Sequence, residues 1–328
     1  MKAILNKLFE HKSLSRQEAH DTLVRLASGE YNHAQMAAFL TVFLMRSLRI
    51  EELEGFRDAM LELCVQVDFS DFDPIDIVGT GGDGKDTFNI STLSAVVVAA
   101  AGYKVAKHGN KSVSSVCGSS NVLEHLGYRF TNEVELLRRQ LDEHGICFLH
   151  APLFHPAMKN VVPVRQDLGV RTFFNILGPL SNPCFPKKQM LGVYSKELQR
   201  IYSYLYQNTD VRFVILYSLD GYDEISLTGP VKIISNEGED LWRPEQMGFG
   251  TYQQADLYGG NSVAEAARIF VEVLEGKGTP AQQEVVIANA GVAIHCADGQ
   301  LSLADSFAKA RETLVSGKAR ETLKKMTA

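Results

Sequence analysis

The stretch that most constrains this chain is residues 75–92, IDIVGTGGDGKDTFNIST. Ile75, Ile77 and Val78 form a short apolar run suited to a buried strand. Gly79, Gly81, Gly82 and Gly84 follow within six positions. Asn89, Ser91 and Thr92 then lead into LSAVVVAAA, a helix that stops at Gly102. The order is strand, glycine-rich loop, capped helix. Glycine lets the backbone take positive φ and brings N–H groups close to a ligand. A helix start adds unpaired N–H groups and the positive end of a dipole, which suits phosphate. Asp83, Lys85, Asp86 and Thr87 give the loop more polar groups than a turn needs. The spacing is neither the GxGxxG of dinucleotide sites nor the GxxxxGK[ST] of P-loops, so a different phosphate ligand is implied.

A second loop repeats the theme. YKVAK (103–107) reads as a strand, HGNKSVSSVCGSSN (108–121) as a polar loop, and VLEHLG as a helix. Lys107, His108 and Lys111 bring positive charge. Asn110 and a run of serines bring hydrogen-bonding groups, and Gly109 and Gly118 allow close approach. Such a loop suits an anion with many oxygens. Two polar loops at successive strand ends of an α/β sheet normally face one crevice.

From residue 75 onward strands and helices alternate, which argues for a largely parallel sheet covered by helices. The expected strands are 75–78, 103–107, 146–150, 190–194, 211–217 and 231–235. Helices are expected at 133–144, 196–207, 262–276 and 280–297. Residues 236–260 have weak periodicity and take no assignment.

Residues 1–67 read as all-helical. Ser15 and Glu18 form a capping box before a helix through about Ser28. HAQMAAFLTVFLMRSL and EELEGFRDAMLELC give two more helices. The first of these is apolar around most of its circumference, which implies burial on several sides or contact with another subunit. DFSDFDP (68–74) reads as a hinge.

Composition narrows the class. A formal charge of −6 argues against nucleic-acid binding by the whole surface. Cys64, Cys117, Cys147, Cys184 and Cys296 are odd in number and never form CxxC. They read as free thiols in a reducing compartment. The start becomes charged too early for a secretory signal, and no apolar run reaches a membrane span. No membrane and a cytoplasmic location are expected.

GTGGDGKDTFNIST together with KHGNKSVSS resembles the anthranilate phosphoribosyltransferases, within the nucleoside phosphorylase/phosphoribosyltransferase family. Matching blocks continue through residues 148–183 and DGYDEIS (220–226). The resemblance implies a small all-helical domain, residues 1–70, joined by a segment from about 155–185. The larger α/β domain, residues 71–328, would carry a mostly parallel sheet, with the active site in the cleft between the bodies. The implied reaction moves the phosphoribosyl group of 5-phosphoribosyl 1-diphosphate to the amine of anthranilate, the second step from chorismate to tryptophan.

By that resemblance the donor contacts Gly79, Gly82, Asp83, Thr87, Asn89, Ile90, Ser91, Thr92, Lys107, His108, Gly109, Asn110, Lys111, Ser112, Val113, Ser114, Ser115 and Ser119. The acceptor meets Gly79, His108, Asn110, Pro152, His155 and Arg165. Magnesium is held by Ser91, Asp223 and Glu224, and a homodimer forms through the N-terminal helices. Arg165 has the chemistry to grip a carboxylate with two hydrogen bonds. A histidine flanked by proline, as His155 is, is more often structural than a base, so no general base is assigned. Lys111, Val116, Cys117 and Asn121 depart from the family's usual residues. They bear on donor affinity and metal detail rather than on reaction class. Two other readings are a pyrimidine nucleoside phosphorylase and a non-catalytic nucleic-acid-binding relative. The first lacks its Lys-x-Ser and Arg-x-x-Thr pattern. The second should be basic and should have lost the loops.

Overall fold

The computed structural model describes residues 1–110 and 118–328. Its strands are β1 (Ile75–Gly79), β2 (Val105–Gly109), β3 (Ile146–His150), β4 (Lys188–Gly192), β5 (Arg212–Ser218), β6 (Val231–Ser235) and β7 (Gly238–Trp242). They form one sheet in the order β3-β2-β1-β4-β5-β6-β7. Neighbours from β3 to β5 pair in parallel, and β6 and β7 add antiparallel. After β1 the chain builds outward to β2 and β3, then returns to place β4 on the other flank of β1. That reversal opens a crevice beyond the carboxyl ends of β1 and β4, where ligands of open α/β sheets bind. The register sets Gly79 opposite Gly192 at that edge.

Helices Ile90–Ala100 and Pro280–Asp298 pack together beneath the sheet's core residues. The longer one is apolar on all sides, and its residues 285–294 are buried throughout, as a central helix requires. The larger unit spans Asp68–His150 and Cys184–Ala328.

Several elements differ from the sequence expectation. β2 starts at Val105 rather than residue 103 and runs through Gly109, because Lys107, His108 and Gly109 pair with Phe148, Leu149 and His150 of β3. His108 and Gly109 are thus strand residues rather than the start of a loop, and Lys107, expected at the strand's end, is a buried residue of its interior. β4 begins two residues early, in register with β1 and β5. The helix expected at residue 122 starts at Ser119. Residues 236–260 hold β7, two short 3-10 turns and connecting loop. Most β7 side chains are exposed, so no alternation marks it. Helices Leu303–Val315 and Lys318–Thr327 complete the unit.

The other unit comprises Met1–Val67 and Ala151–Pro183. Its N-terminal helices are Lys2–Phe9, Arg16–Ala27, His33–Met45 and Ile50–Glu62. Capping boxes at Ser15/Glu18 and Asn32/Gln35 set the second and third starts. At Gly55 a Cβ would fall on the Arg16 carbonyl oxygen, so only glycine lets helices Arg16–Ala27 and Ile50–Glu62 approach so closely. Glu52 is fully buried. It accepts from the Arg46 guanidinium at 2.5 and 2.8 Å and from the N–H groups of Leu14 and Arg49. Phe56 stacks on Phe173 at 4.5 Å, with Phe39 and Phe43 edge-on, which fastens the later segment to the N-terminal helices. Among the described residues no helix is long and apolar enough to cross a membrane.

Candidate functional site

Asp223 and Glu224 lie on the turn after β5, and the turn brings them to the carboxyl end of β1. The Gly81 N–H donates to Asp223 Oδ2 at 2.6 Å. The Ser91 N–H, in the first turn of helix Ile90–Ala100, donates to Glu224 Oε1 at 2.8 Å. Asn89 occupies the N-cap position but its side chain makes no cap bond, contrary to the capped helix expected. A carboxylate from a distant turn takes that place at the positive helix end.

Two glycines make room for Asp223. A Cβ on Gly79 would lie 3.0 Å from Asp223 Cγ and closer still to Oδ2, and one on Gly192 would fall on the Asp223 carbonyl oxygen. Gly79 therefore serves by lacking a side chain. Gly81, Gly82 and Gly84 serve by positive φ, at +65°, +79° and +73°. The loop is also pinned from outside: the Phe88 N–H donates to the Leu257 carbonyl at 3.0 Å, and Thr87 bridges to Tyr258. Lys85 lies over the Tyr222 ring at 4.6 Å.

The charges gathered here are unbalanced. Asp83, whose Oδ1 accepts from the Lys85 N–H at 3.1 Å, adds a further negative charge close to Asp223. Burial, then the neighbouring Asp83, pushes Asp223 up to about 7. Glu224 rises well above the carboxylate range through burial, then through Asp223 and Asp83. Lys107 is 3% exposed and donates to the Ile77 carbonyl and, at 3.4 Å, to Ser91 Oγ. Burial lowers its pKa, against the opposing pull of Asp76, Glu224 and Asp223. One cation facing this group of acids leaves room for another.

Magnesium fits this setting: Asp223, Glu224 and the Ser91 hydroxyl are hard oxygen donors in a field with excess negative charge. Among the described residues no three His, Cys, Asp or Glu side chains form a ready metal cage. A magnesium ion held by the pair would therefore draw the rest of its shell from phosphate oxygens and water.

The remaining residues of the two loops are distributed as follows. Ile90 and Thr92 are buried, and Thr92 Oγ1 has no partner among the described residues. The His108 N–H donates to Asp76 Oδ1 at 3.2 Å, which locks β2 to β1. Asn110 is exposed, and its carbonyl accepts from Ser119 Oγ at 3.3 Å. Lys111, Ser112, Val113, Ser114, Ser115, Val116 and Cys117 lie outside the described residues.

Arg165 belongs to the helical unit, in helix Val162–Leu168, which ends at left-handed Gly169. Its guanidinium sits over the Phe174 ring at 5.1 Å and donates to Asn175 Oδ1 at 3.5 Å. Burial alone lowers its pKa, and among the described residues no carboxylate pairs with it. A half-buried guanidinium without a counter-ion is suited to a ligand carboxylate. Pro152 is exposed. His155 is buried, hydrogen-bonds the Ser181 carbonyl through Nε2 at 3.1 Å, and is pushed down to about 4 by burial.

Sequence reasoning missed Asp76, Gly192, Ser218 and Asn289. Asp76 and Asn289 carried a usable signal, each a lone polar residue in an apolar run. Gly192 and Ser218 carried none, because their roles depend on contacts distant in sequence.

The glycosyl transferase family a/b domain matches residues 72–320, and the family's helical bundle domain matches residues 2–64. The chain is 56% identical over 325 residues to the anthranilate phosphoribosyltransferase of Cytophaga hutchinsonii, covering 99% of each chain. It is 54% identical to that of Bacteroides fragilis strain YCH46, covering 99% of this chain and 98% of the relative. The solved anthranilate phosphoribosyltransferase of Thermus thermophilus superposes with a TM-score of 0.90 at 35% identity, over 98% of both chains. The enzyme of Saccharomyces cerevisiae, solved in complex with PRPP and Mg, superposes at 0.88 with 28% identity, over 98% of this chain and 95% of that one.

Proposed function

The chain belongs to the anthranilate phosphoribosyltransferase family, and from that premise we propose that it joins anthranilate to the phosphoribosyl group of 5-phosphoribosyl 1-diphosphate. The C1–O bond to diphosphate breaks, the amine nitrogen bonds to C1, and the amine sheds a proton. The observation that carries this reading is the pair of carboxylates, Asp223 and Glu224, tied to the N–H groups of a glycine-rich loop and a helix start beside Lys107.

Positive charge grows on the ribose and negative charge on the diphosphate as C1–O breaks. The protein's task is to hold the leaving group and aim the amine. Gly79, Gly82, Asp83, Thr87, Asn89, Ile90, Ser91 and Thr92 form the first face of the donor site. Lys107, His108, Gly109, Asn110 and Ser119 form the second. The N–H groups that open on the crevice bind phosphate oxygens, and Lys107 adds fixed positive charge. Magnesium, held by Ser91, Asp223 and Glu224, would neutralise the diphosphate as it leaves.

Arg165 grips the anthranilate carboxylate, with Pro152, His155, His108, Gly79 and Asn110 lining the acceptor's place. His155, neutral and committed to a carbonyl, acts through shape. An aromatic amine attacking an oxocarbenium-like carbon needs little deprotonation beforehand, so orientation carries the step.

A homodimer through the N-terminal helices is part of the proposal. Helix His33–Met45 buries Met36, Phe39, Leu40 and Phe43 yet leaves Leu44 and Met45 exposed at 43% and 84%, with Phe9 at 59%. Light scattering of the wild type and of Met45→Lys would test it; a monomer at micromolar concentration would refute it. The enzyme would work in the cytoplasm.

Loss of anthranilate fluorescence that requires both donor and magnesium is the expected result. Phosphorolysis of thymidine or uridine with no consumption of anthranilate would overturn the assignment.

A further inference from the structure

The turn bearing Asp223 and Glu224 is held by two fully buried side chains, Asn289 and Ser218. Asn289 lies in the middle of helix Pro280–Asp298. Its Oδ1 accepts from the Ile225 N–H at 3.0 Å. Its Nδ2 donates to the Ile225 carbonyl and to the Val285 carbonyl, each at 2.8 Å. One amide thus takes both backbone groups of the residue after Glu224. Ser218 ends β5. Its hydroxyl donates to the Glu224 carbonyl at 2.6 Å and accepts from the Ser226 N–H at 3.4 Å.

Among the described residues neither side chain hydrogen-bonds a carboxylate. Both grip the backbone on the far side of the Glu224 Cα, from two separate elements. On the other side the carboxylates themselves are tied to two backbone N–H groups, on Gly81 and Ser91. An unsupported turn would relax and carry the carboxylates with it.

We propose that Asn289 and Ser218 are positioning residues that hold the backbone at 224–226 so that the Asp223 and Glu224 carboxylates keep their aim toward magnesium diphosphate. The proposal rests on the donor reading above. Asparagine suits the task because a primary amide offers two donors and an acceptor in one plane. Aspartate at this position keeps the acceptor and loses both donations.

The test uses Asn289→Asp and Ser218→Ala, with Gln199→Leu as the comparison. Gln199 is an equally buried amide of the same unit, in helix Lys196–Tyr206. It donates to the Ile215 and Lys232 carbonyls and not to the turn. Calorimetric titration with 5-phosphoribosyl 1-diphosphate, with and without magnesium and without anthranilate, reads the site without turnover. Thermal melts confirm folding. Asn289→Asp and Ser218→Ala should lower the magnesium-dependent donor affinity by about 10–100-fold, as outer partners of metal-binding groups do. Gln199→Leu should melt earlier yet bind as the wild type does. Should Asn289→Asp fail to fold, the milder Ser218→Ala carries the test.

Folded variants that bind like the wild type would overturn the proposal, as would an equal loss in Gln199→Leu. Absence of magnesium-dependent donor binding in the wild-type protein would overturn the reading of the site itself.

Discussion

Gly79→Ala places one methyl group against the Asp223 carboxylate and changes little else. Gly79 does not have positive φ, so alanine adopts its backbone without strain. The new Cβ would sit 3.0 Å from Asp223 Cγ. Carbon atoms rest at about 3.5–4.0 Å, so the carboxylate must retreat by roughly 0.5–1 Å. It leaves the Gly81 N–H, now at 2.6 Å. A charge-assisted hydrogen bond of this kind contributes about 1.5–3 kcal/mol, offset by about 0.4–1 kcal/mol from the stiffer unfolded chain. A net loss of about 1–2 kcal/mol leaves the protein folded. The catalytic effect is larger: a misplacement near 1 Å can cost about 100-fold, so turnover should fall by about 10–100-fold. Anthranilate fluorescence measured at varied donor and magnesium reads it, with melts as the folding check. Gly178→Ala is the quiet control, because a Cβ there meets nothing within 4 Å. If the methyl acts by moving Asp223, adding Gly79→Ala to Asp223→Asn should cost little more than Asp223→Asn alone. Full additivity would refute the steric argument, as would turnover within twofold of wild type.

Arg165→Ala should weaken anthranilate use by roughly 10–150-fold in kcat/KM and leave the donor's KM near wild type; an effect confined to the donor would move the acceptor site elsewhere. Asp223→Asn combined with Glu224→Gln should lower turnover itself, with partial rescue by excess magnesium that Arg165→Ala does not share. His155 provides the pH dependence. Its folded pKa, about 4, lies below the ordinary 6.5 because of burial, so the unfolded chain binds more protons between those values. Stability from this group is therefore complete above pH about 6.5 and is lost as pH falls toward 4, by up to about 3 kcal/mol. Urea melts of wild type and His155→Gln at both ends of that window should show the wild type losing more, and parallel losses would refute it.

The site's first half was legible because it is local. Gly81, Gly82 and Gly84 take the positive φ their spacing implied, and the strand before them and the helix after them stand where the apolar runs put them. Its second half is not local. Asp223 meets Gly81 across 142 positions, and no periodicity signals that meeting. Family resemblance names the acidic pair; nothing in the chain's own pattern joins it to the glycine-rich loop. The end of β2 is hidden for a related reason. His108 and Gly109 read as loop because they are not apolar, yet they pair with Leu149 and His150 of β3, a partner that local pattern does not reveal. β7 escaped notice because an exposed edge strand has no buried face to write an alternation.

The two glycines beside Asp223 show why the arrangement belongs to this sheet. β1 and β4 are adjacent and in register, so Gly79 and Gly192 end at one level. Without side chains they leave a notch at the point where the strand order reverses. The turn after β5 drops its acidic residues into that notch, which places negative charge between the glycine-rich loop and the buried Lys107. Without a cation this costs stability, as the raised pKa values of Asp223 and Glu224 express. The N–H groups of Gly81 and Ser91 and the Lys107 ammonium offset part of that cost, while the Ser218 hydroxyl and the Asn289 amide hold the backbone of the turn from separate elements. A site held from so many sides keeps its carboxylates in place before any ligand arrives, and electrostatic catalysis depends on such preorganisation.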